Sequence, residues 1–127
     1  MSEQRRDKWF GNTIDEVIAM FPNELPVDAV GLWQIVPFGR EGFDLHSDEL
    51  TDFVRRSVSA LVERGAKPVV GATDGIHYWE LQKQYGSTNK EIVNAVVNEW
   101  LVSGGGDPDP SGLWFALPER YESNSAS

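Results

Sequence analysis

Two histidines and a run of acidic residues are the side chains whose types and spacing suggest chemistry in this chain of 127 residues. An imidazole titrates near neutral pH and can therefore act as a general acid or base. His77 lies in a predicted strand, where Glu80, three residues later, points to the opposite face. These two side chains cannot share one proton relay, so His46 and His77 are isolated acid–base candidates.

The acidic run spans residues 41–52 and contains five carboxylates but no lysine or arginine. An extended Asp44-x-His46-x-Asp48 segment would present alternating ligands to a cation, but the spacing matches no calcium-binding loop. We therefore predict no metal and no cofactor. Acidic residues also favour the positive end of a helix dipole, so a solvated helix start is one explanation. The other is a patch that steers a basic partner, formed by Asp44, Asp48, Glu49 and Asp52.

Composition argues against several classes of function. The formal net charge of −9 repels phosphate backbones and anionic lipids, so we expect neither nucleic acid nor a membrane as a partner. Cysteine is absent, which excludes disulfides, Cys-ligated zinc and thiol nucleophiles. The segment MSEQRRDKWF lacks the apolar core of a signal peptide, and we expect a cytoplasmic protein. The chain has no Gly-x-Ser-x-Gly elbow and no Walker loop, which favours binding over catalysis.

Three segments have the spacing of amphipathic helices. The first covers about residues 13–21, where Thr13 and Glu16 have the spacing of a capping box. The second follows an N-cap at Ser47 and ends before a glycine, and the third covers about residues 88–103. The apolar stripe of the second helix is predicted to consist of Leu50, Phe53, Val54, Ser57, Val58, Leu61 and Val62.

Runs rich in β-branched and aromatic residues separate the helices. Residues 29–38 are apolar without helical periodicity and are predicted to form a buried strand. Residues 68–72 and 76–81 flank an Asp-Gly turn and predict a hairpin. Residues 113–117 predict a final strand.

The order of these elements predicts an α+β fold. After the N-terminal amphipathic helix, the sequence of elements is βαββαβ, which matches a ferredoxin-like two-layer sandwich. We assign residues 9–118 to this single domain. Residues 1–8 and 119–127 are polar and are expected to be flexible termini.

Tryptophan is abundant, with five residues in the chain. Side chains alternate along a strand, so Trp114 points away from the helices if Leu113 and Phe115 face them. Trp33 and either Trp79 or Tyr78 are expected to join Trp114 on that face. The N-terminal helix would cover this face in one alternative, and an interface or ligand site would occupy it in the other.

These patterns favour a small acidic protein-binding module. An inhibitor or immunity-type protein that neutralises a basic partner would use the acidic run for steering and an exposed Trp33 or Trp114 as its anchor. The alternative is a homodimeric small-ligand-binding protein or small enzyme, with a pocket on the tryptophan-rich face and His46 or His77 as acid or base. An accessory subunit whose partner permanently covers that face is a third hypothesis.

Overall fold

The computed structural model describes residues 5–72 and 79–121. Helices and an antiparallel sheet combine in this part of the chain, which confirms the α+β prediction. The helices are α1 (Ile14–Glu24), α2 (Leu32–Pro37), α3 (Ser47–Glu63) and α4 (Asn89–Val102). The strands are β1 (Val30–Gly31), β2 (Lys67–Gly71), β3 (Trp79–Leu81) and β4 (Trp114–Ala116). A π-helical turn covers Phe38–Gly42, and 3-10 turns cover Lys83–Tyr85 and Pro118–Arg120.

Side-chain caps fix where two of the helices begin. At α1, the Thr13 hydroxyl accepts the Glu16 N–H at 3.2 Å and the Glu16 carboxylate accepts the Thr13 N–H at 2.8 Å. The same capping box begins α4 at Thr88. The predicted N-cap of α3, Ser47, is wrong by one residue. His46 is the N-cap, and its carbonyl accepts the N–H groups of Glu49 at 3.1 Å and of Leu50 at 3.4 Å.

The predicted strand over residues 29–38 is wrong for most of its length. Only Val30 and Gly31 pair in the sheet, and the chain then turns into α2. The Gln34 side chain accepts the Gly31 N–H at 2.8 Å, which satisfies a donor at the helix start. Leu32, Ile35 and Val36 are buried at helical spacing, but the apolar neighbours of these residues hide that period in the sequence.

The four strands form one sheet in the order β1-β4-β2-β3, and every neighbouring pair is antiparallel. The ferredoxin-like order is not confirmed, because β4 and β2 form the inner pair and β1 lies at an edge. A strand of two residues suits a sheet edge, whereas the longer β2 pairs on both sides.

The main hydrophobic core lies between the sheet and a layer formed by α1, α3 and α4. Every residue of the predicted α3 stripe is buried, as the 3.6-residue period requires. Phe115 of β4 is fully buried in this core. Val17, Ile18 and Phe21 of α1 belong to the same cluster, and the Phe21 and Phe53 ring centroids lie 6.3 Å apart. Thus α1 packs on α3 and does not cover the opposite face of the sheet.

Candidate functional site

Of the two acid–base candidates, His46 lies within the described residues. His46 Nε2 lies 3.0 Å from Asp44 Oδ1, and both side chains are largely exposed. Water screens such a pair, so His46 lacks the enclosed, oriented setting in which general acids and bases work. His77 and its neighbour Tyr78 lie outside the described residues, as does the predicted Asp74-Gly75 turn.

The predicted acidic patch, Asp44, Asp48, Glu49 and Asp52, lies before and within the first turns of α3, where it is exposed. Basic side chains reach two of its carboxylates. Arg5 Nη1 lies 3.5 Å from Glu49 Oε1, and Arg56 Nη1 lies 3.8 Å from Asp52 Oδ2. Arg56 also pairs with Asp15 of α1. These exposed pairs lower the local negative charge, so the patch is a weaker source of steering than its sequence suggests.

The predicted tryptophan face exists and carries Trp33, Trp79 and Trp114. The Trp114 ring centroid lies 5.0 Å from that of Trp79 and 5.9 Å from that of Trp33. Val69 and Ala116 are fully buried beneath the rings. The Trp33 ring packs so closely on Gly31 that a Cβ there would lie 2.5 Å from Trp33 Cδ1. The rings thus form a small second core on the face opposite α3, and Trp33 and Trp114 do not share one surface with the acidic patch.

A loop at residues 7–13, here called the aromatic loop, is the feature that the sequence analysis missed. Asp7, assigned to the flexible N-terminus, is buried with 3% of its surface exposed. Its Oδ1 accepts the N–H groups of Trp9 at 2.9 Å and Phe10 at 2.6 Å, and its Oδ2 accepts that of Asn12 at 2.8 Å. One carboxylate therefore organises the whole turn.

Further bonds attach the aromatic loop to the fold. Gly11 adopts a φ of 76°, a conformation that residues with a Cβ rarely adopt, and its carbonyl accepts from the Arg6 guanidinium at 2.8 Å. The Lys8 N–H donates to the Gly42 carbonyl at 2.9 Å. The loop is therefore fixed on the π-helical turn, although it lies near the start of the chain.

Hydrogen bonding also keeps Asp7 ionised. Burial alone raises the pKa of this carboxyl group, but the N–H groups of Phe10, Asn12, Trp9 and Gly11 together lower it more. The net pKa lies below the ordinary value of 3.8. At neutral pH the loop is therefore held by a charged acceptor, which makes stronger hydrogen bonds than a neutral one.

The aromatic loop presents large apolar side chains to solvent. Trp9 is 48% exposed and Phe10 is 71% exposed. Both rings contact Phe38, Trp9 edge to face at 5.2 Å between centroids and Phe10 stacked at 6.5 Å. Met20 of α1 is 41% exposed, and its sulfur lies 3.5 Å from the Asn12 side-chain nitrogen. Trp9 and Phe10 thus share one exposed patch around Phe38, and Met20 adjoins this patch through Asn12.

A cavity of about 360 Å³, here called the apolar groove, continues from this patch. Phe38 and Met20 contribute to both. Carboxylates of Glu24 and Asp28 also line the groove. Within the described residues, no cation lies within 4.0 Å of either carboxylate. The apolar walls include Val17, Phe21, Val30 and Trp114.

One sequence signal points to this site. Asp7 followed by Gly11 and Asn12 has the composition of a turn held by a side chain, and it encloses the aromatic pair Trp9-Phe10. No sequence pattern predicts that Phe38 of the π-helical turn would join the loop to the groove. That contact depends on α2, which the sequence did not predict.

Other site classes have less support. No group of three His, Cys, Asp or Glu side chains suited to a metal occurs in residues 5–72 and 79–121. Over the same residues, every helix is too short or too polar to cross a bilayer. A scan of protein-family models and searches of curated proteins and of solved structures returned no match.

Proposed function

We propose that this protein is a protein-binding module that recognises a partner segment carrying both apolar and basic side chains. The observation that carries the proposal is the apolar groove, whose walls are apolar and whose two carboxylates lack a cation among the described residues. An apolar centre with charged groups around it is the usual arrangement of a protein interface. An inhibitor or immunity-type protein that neutralises a basic enzyme is the specific form of this proposal.

Charge supports a basic partner. The net charge of −9 raises the encounter rate with a cationic protein, because the whole acidic surface contributes to the field. Glu24 and Asp28 would then contact the partner's cations directly, whereas the acidic patch near α3 would act at longer range. The division follows from geometry, because Glu24 and Asp28 line the apolar groove, whereas the residues of the acidic patch do not.

Of the two tryptophans proposed as anchors, Trp114 has the stronger support. Its ring lines the apolar groove and is only partly buried. Trp33 instead packs against Gly31 and Trp114, so its role is to support the Trp114 ring. A partner side chain in the groove would therefore contact Trp114 and Phe38.

Peptide binding tests the proposal. The probe is a synthetic helical peptide with leucine on one face and lysine on the other, and the control peptide carries glutamate instead of lysine. Two double variants each remove two negative charges. One is Glu24→Gln/Asp28→Asn at the groove, and the other is Asp44→Asn/Asp48→Asn near α3. We expect the groove variant to weaken binding about tenfold, and the α3 variant to weaken it much less.

Equal losses in the two variants would overturn the assignment of the groove. Failure of the unmodified protein to prefer the lysine peptide over the glutamate peptide would overturn the basic-partner proposal itself. Binding is measured by isothermal titration calorimetry at physiological and at high salt, since direct contacts resist salt better than long-range attraction.

The tryptophan face favours a second candidate, a homodimer with a ligand pocket between two sheets. Its support is that Trp79 and Trp114, on the sheet face opposite α3, are only partly buried by the described residues. Light scattering separates the candidates, because a dimer has twice the chain mass of 14.2 kDa. A tight dimer without affinity for the lysine peptide would favour this second candidate.

A further inference from the structure

We propose that Trp9 and Phe10 are the anchor residues of the partner interface and that Asp7 is the residue that positions them. This inference rests on the proposed function and extends it to a part of the surface outside the groove. The occupant is the apolar face of the same basic segment, which would cover Phe10 and Met20 while its cations reach Glu24 and Asp28.

Exposure is the first reason. An aromatic side chain as exposed as Phe10, at 71%, gains little from burial within its own chain. Together with Trp9 it forms an exposed aromatic surface around Phe38, which in a protein that functions alone would favour unwanted association. Tryptophan and other aromatic residues at such positions are the typical anchors of interfaces.

Rigidity is the second reason. Trp9 and Phe10 are held by their backbones, because Asp7 accepts both N–H groups and Asn12 closes the turn. A loop whose backbone is already ordered loses less conformational entropy when a partner binds. A loop that merely tolerated two exposed rings would not need a buried carboxylate to fix them.

Charge complementarity selects the occupant. Phe38 and Met20 connect the aromatic loop with the groove that contains Glu24 and Asp28. A second copy of this chain carries a net charge of −9 and would be repelled by the carboxylates of this surface. A cationic partner therefore fits better here than a homodimer.

The experiment uses the full chain and the leucine–lysine peptide described above. Phe10→Ala is compared with Val102→Ala, which truncates a side chain that is 80% exposed at the end of α4. We expect Phe10→Ala to weaken binding about tenfold and Val102→Ala to leave it unchanged, with both variants retaining the thermal stability of the parent. Equal affinities of Phe10→Ala and the parent would overturn the anchor role.

Asp7→Asn tests positioning, since the amide keeps the size of the side chain but loses the charge and one acceptor oxygen. We expect faster amide exchange at Phe10 and Asn12 and weaker binding. Combining Asp7→Asn with Phe10→Ala should add little further loss, because both changes remove the same contact. Additive losses would overturn the positioning role.

Gly11→Ala is the second loop variant if Asp7→Asn does not fold. Its Cβ would meet no described atom within 4 Å, so the φ of 76° is the only source of strain. Weaker peptide binding with an intact core is expected, and unchanged binding would contradict a positioned loop. If Phe10→Ala binds the peptide as tightly as the parent while Glu24→Gln/Asp28→Asn binds it more weakly, this inference alone is refuted. If neither variant weakens peptide binding, the proposed function is refuted.

Discussion

Trp9 lies edge to face on Phe38, with 5.2 Å between the ring centroids. Phe38 in turn lies 6.3 Å from Phe21, whose ring contacts Phe53 of α3. A chain of aromatic contacts thus runs from an exposed loop to the centre of the core. The position of the proposed anchor is therefore coupled to the packing of α1 and α3.

Val58→Asp tests the packing of α3 against the hydrophobic core. Val58 is fully buried, so an unpaired carboxylate there should destabilise the fold by several kcal/mol, on the order of the entire stability of a domain of this size. Ser47→Asp adds the same charge at the exposed start of the helix and should change stability by less than about 1 kcal/mol. Circular dichroism during urea unfolding measures both. A cooperatively folded Val58→Asp protein would contradict the packing of α3.

The tryptophan face is tested by Gly31→Ala. The new Cβ would lie 2.5 Å from Trp33 Cδ1 and 3.0 Å from Trp114 Cδ2, so both rings must shift. We expect a loss of about 1–3 kcal/mol, as for other overpacked sites, and a change in tryptophan fluorescence. Gly106→Ala is the control, because its Cβ meets no described atom within 4 Å. Equal stability of the two variants would show that Trp33 does not pack on Gly31.

Low pH should destabilise the folded state, because several carboxyl groups have lower pKa values in the folded protein than in the unfolded chain. Backbone N–H groups of Thr13 and Thr88 are the main cause at Glu16 and Glu91, and hydrogen bonds outweigh burial at Asp7. A lowered pKa in the folded state means that the stabilisation is complete above the unfolded values of 3.8 for Asp and 4.5 for Glu. It is then lost as pH falls through the lower folded values.

Urea midpoints from about pH 6 to pH 2 measure this loss. Asp7→Asn should reduce the slope, because an amide does not titrate. The same slope in parent and variant would exclude Asp7 as a contributor.

The acidic patch should increase the rate at which the protein associates with the leucine–lysine peptide. Asp44→Asn, Asp48→Asn, Glu49→Gln and Asp52→Asn together should slow association with the leucine–lysine peptide and flatten its salt dependence. Dissociation should change little, because these side chains lie outside the groove. Stopped-flow fluorescence measures both rates. Unchanged association at low salt would remove the steering role of the patch.

Local signals in the sequence correctly predicted the α3 stripe, the capping box at Thr13 and the outward position of Trp114. Each depends on local geometry, since side-chain direction follows from the period of a helix or strand. The strand predicted over residues 29–38 is wrong at residues 32–37, where apolar residues on all sides mask a helical period. The chain there forms a two-residue edge strand followed by α2.

The candidate site was predictable only in part. Acidic charge and an exposed tryptophan were expected from composition, and Trp114 does line the groove. The aromatic loop was missed because Asp7, which organises it, stands in the polar segment 1–8, and that segment resembles a frayed terminus. The contact of this loop with Phe38 joins residues far apart in sequence, and a single sequence does not encode it in any local pattern.

Chemical-shift mapping of the ¹⁵N-labelled protein, titrated with the leucine–lysine peptide, is the most direct test of the proposed surface. We expect the largest shifts in the aromatic loop and along the groove, at Phe10, Met20, Glu24 and Phe38, with small shifts at Asp48 and Glu49. The largest shifts at the start of α3, with the aromatic loop unaffected, would contradict it.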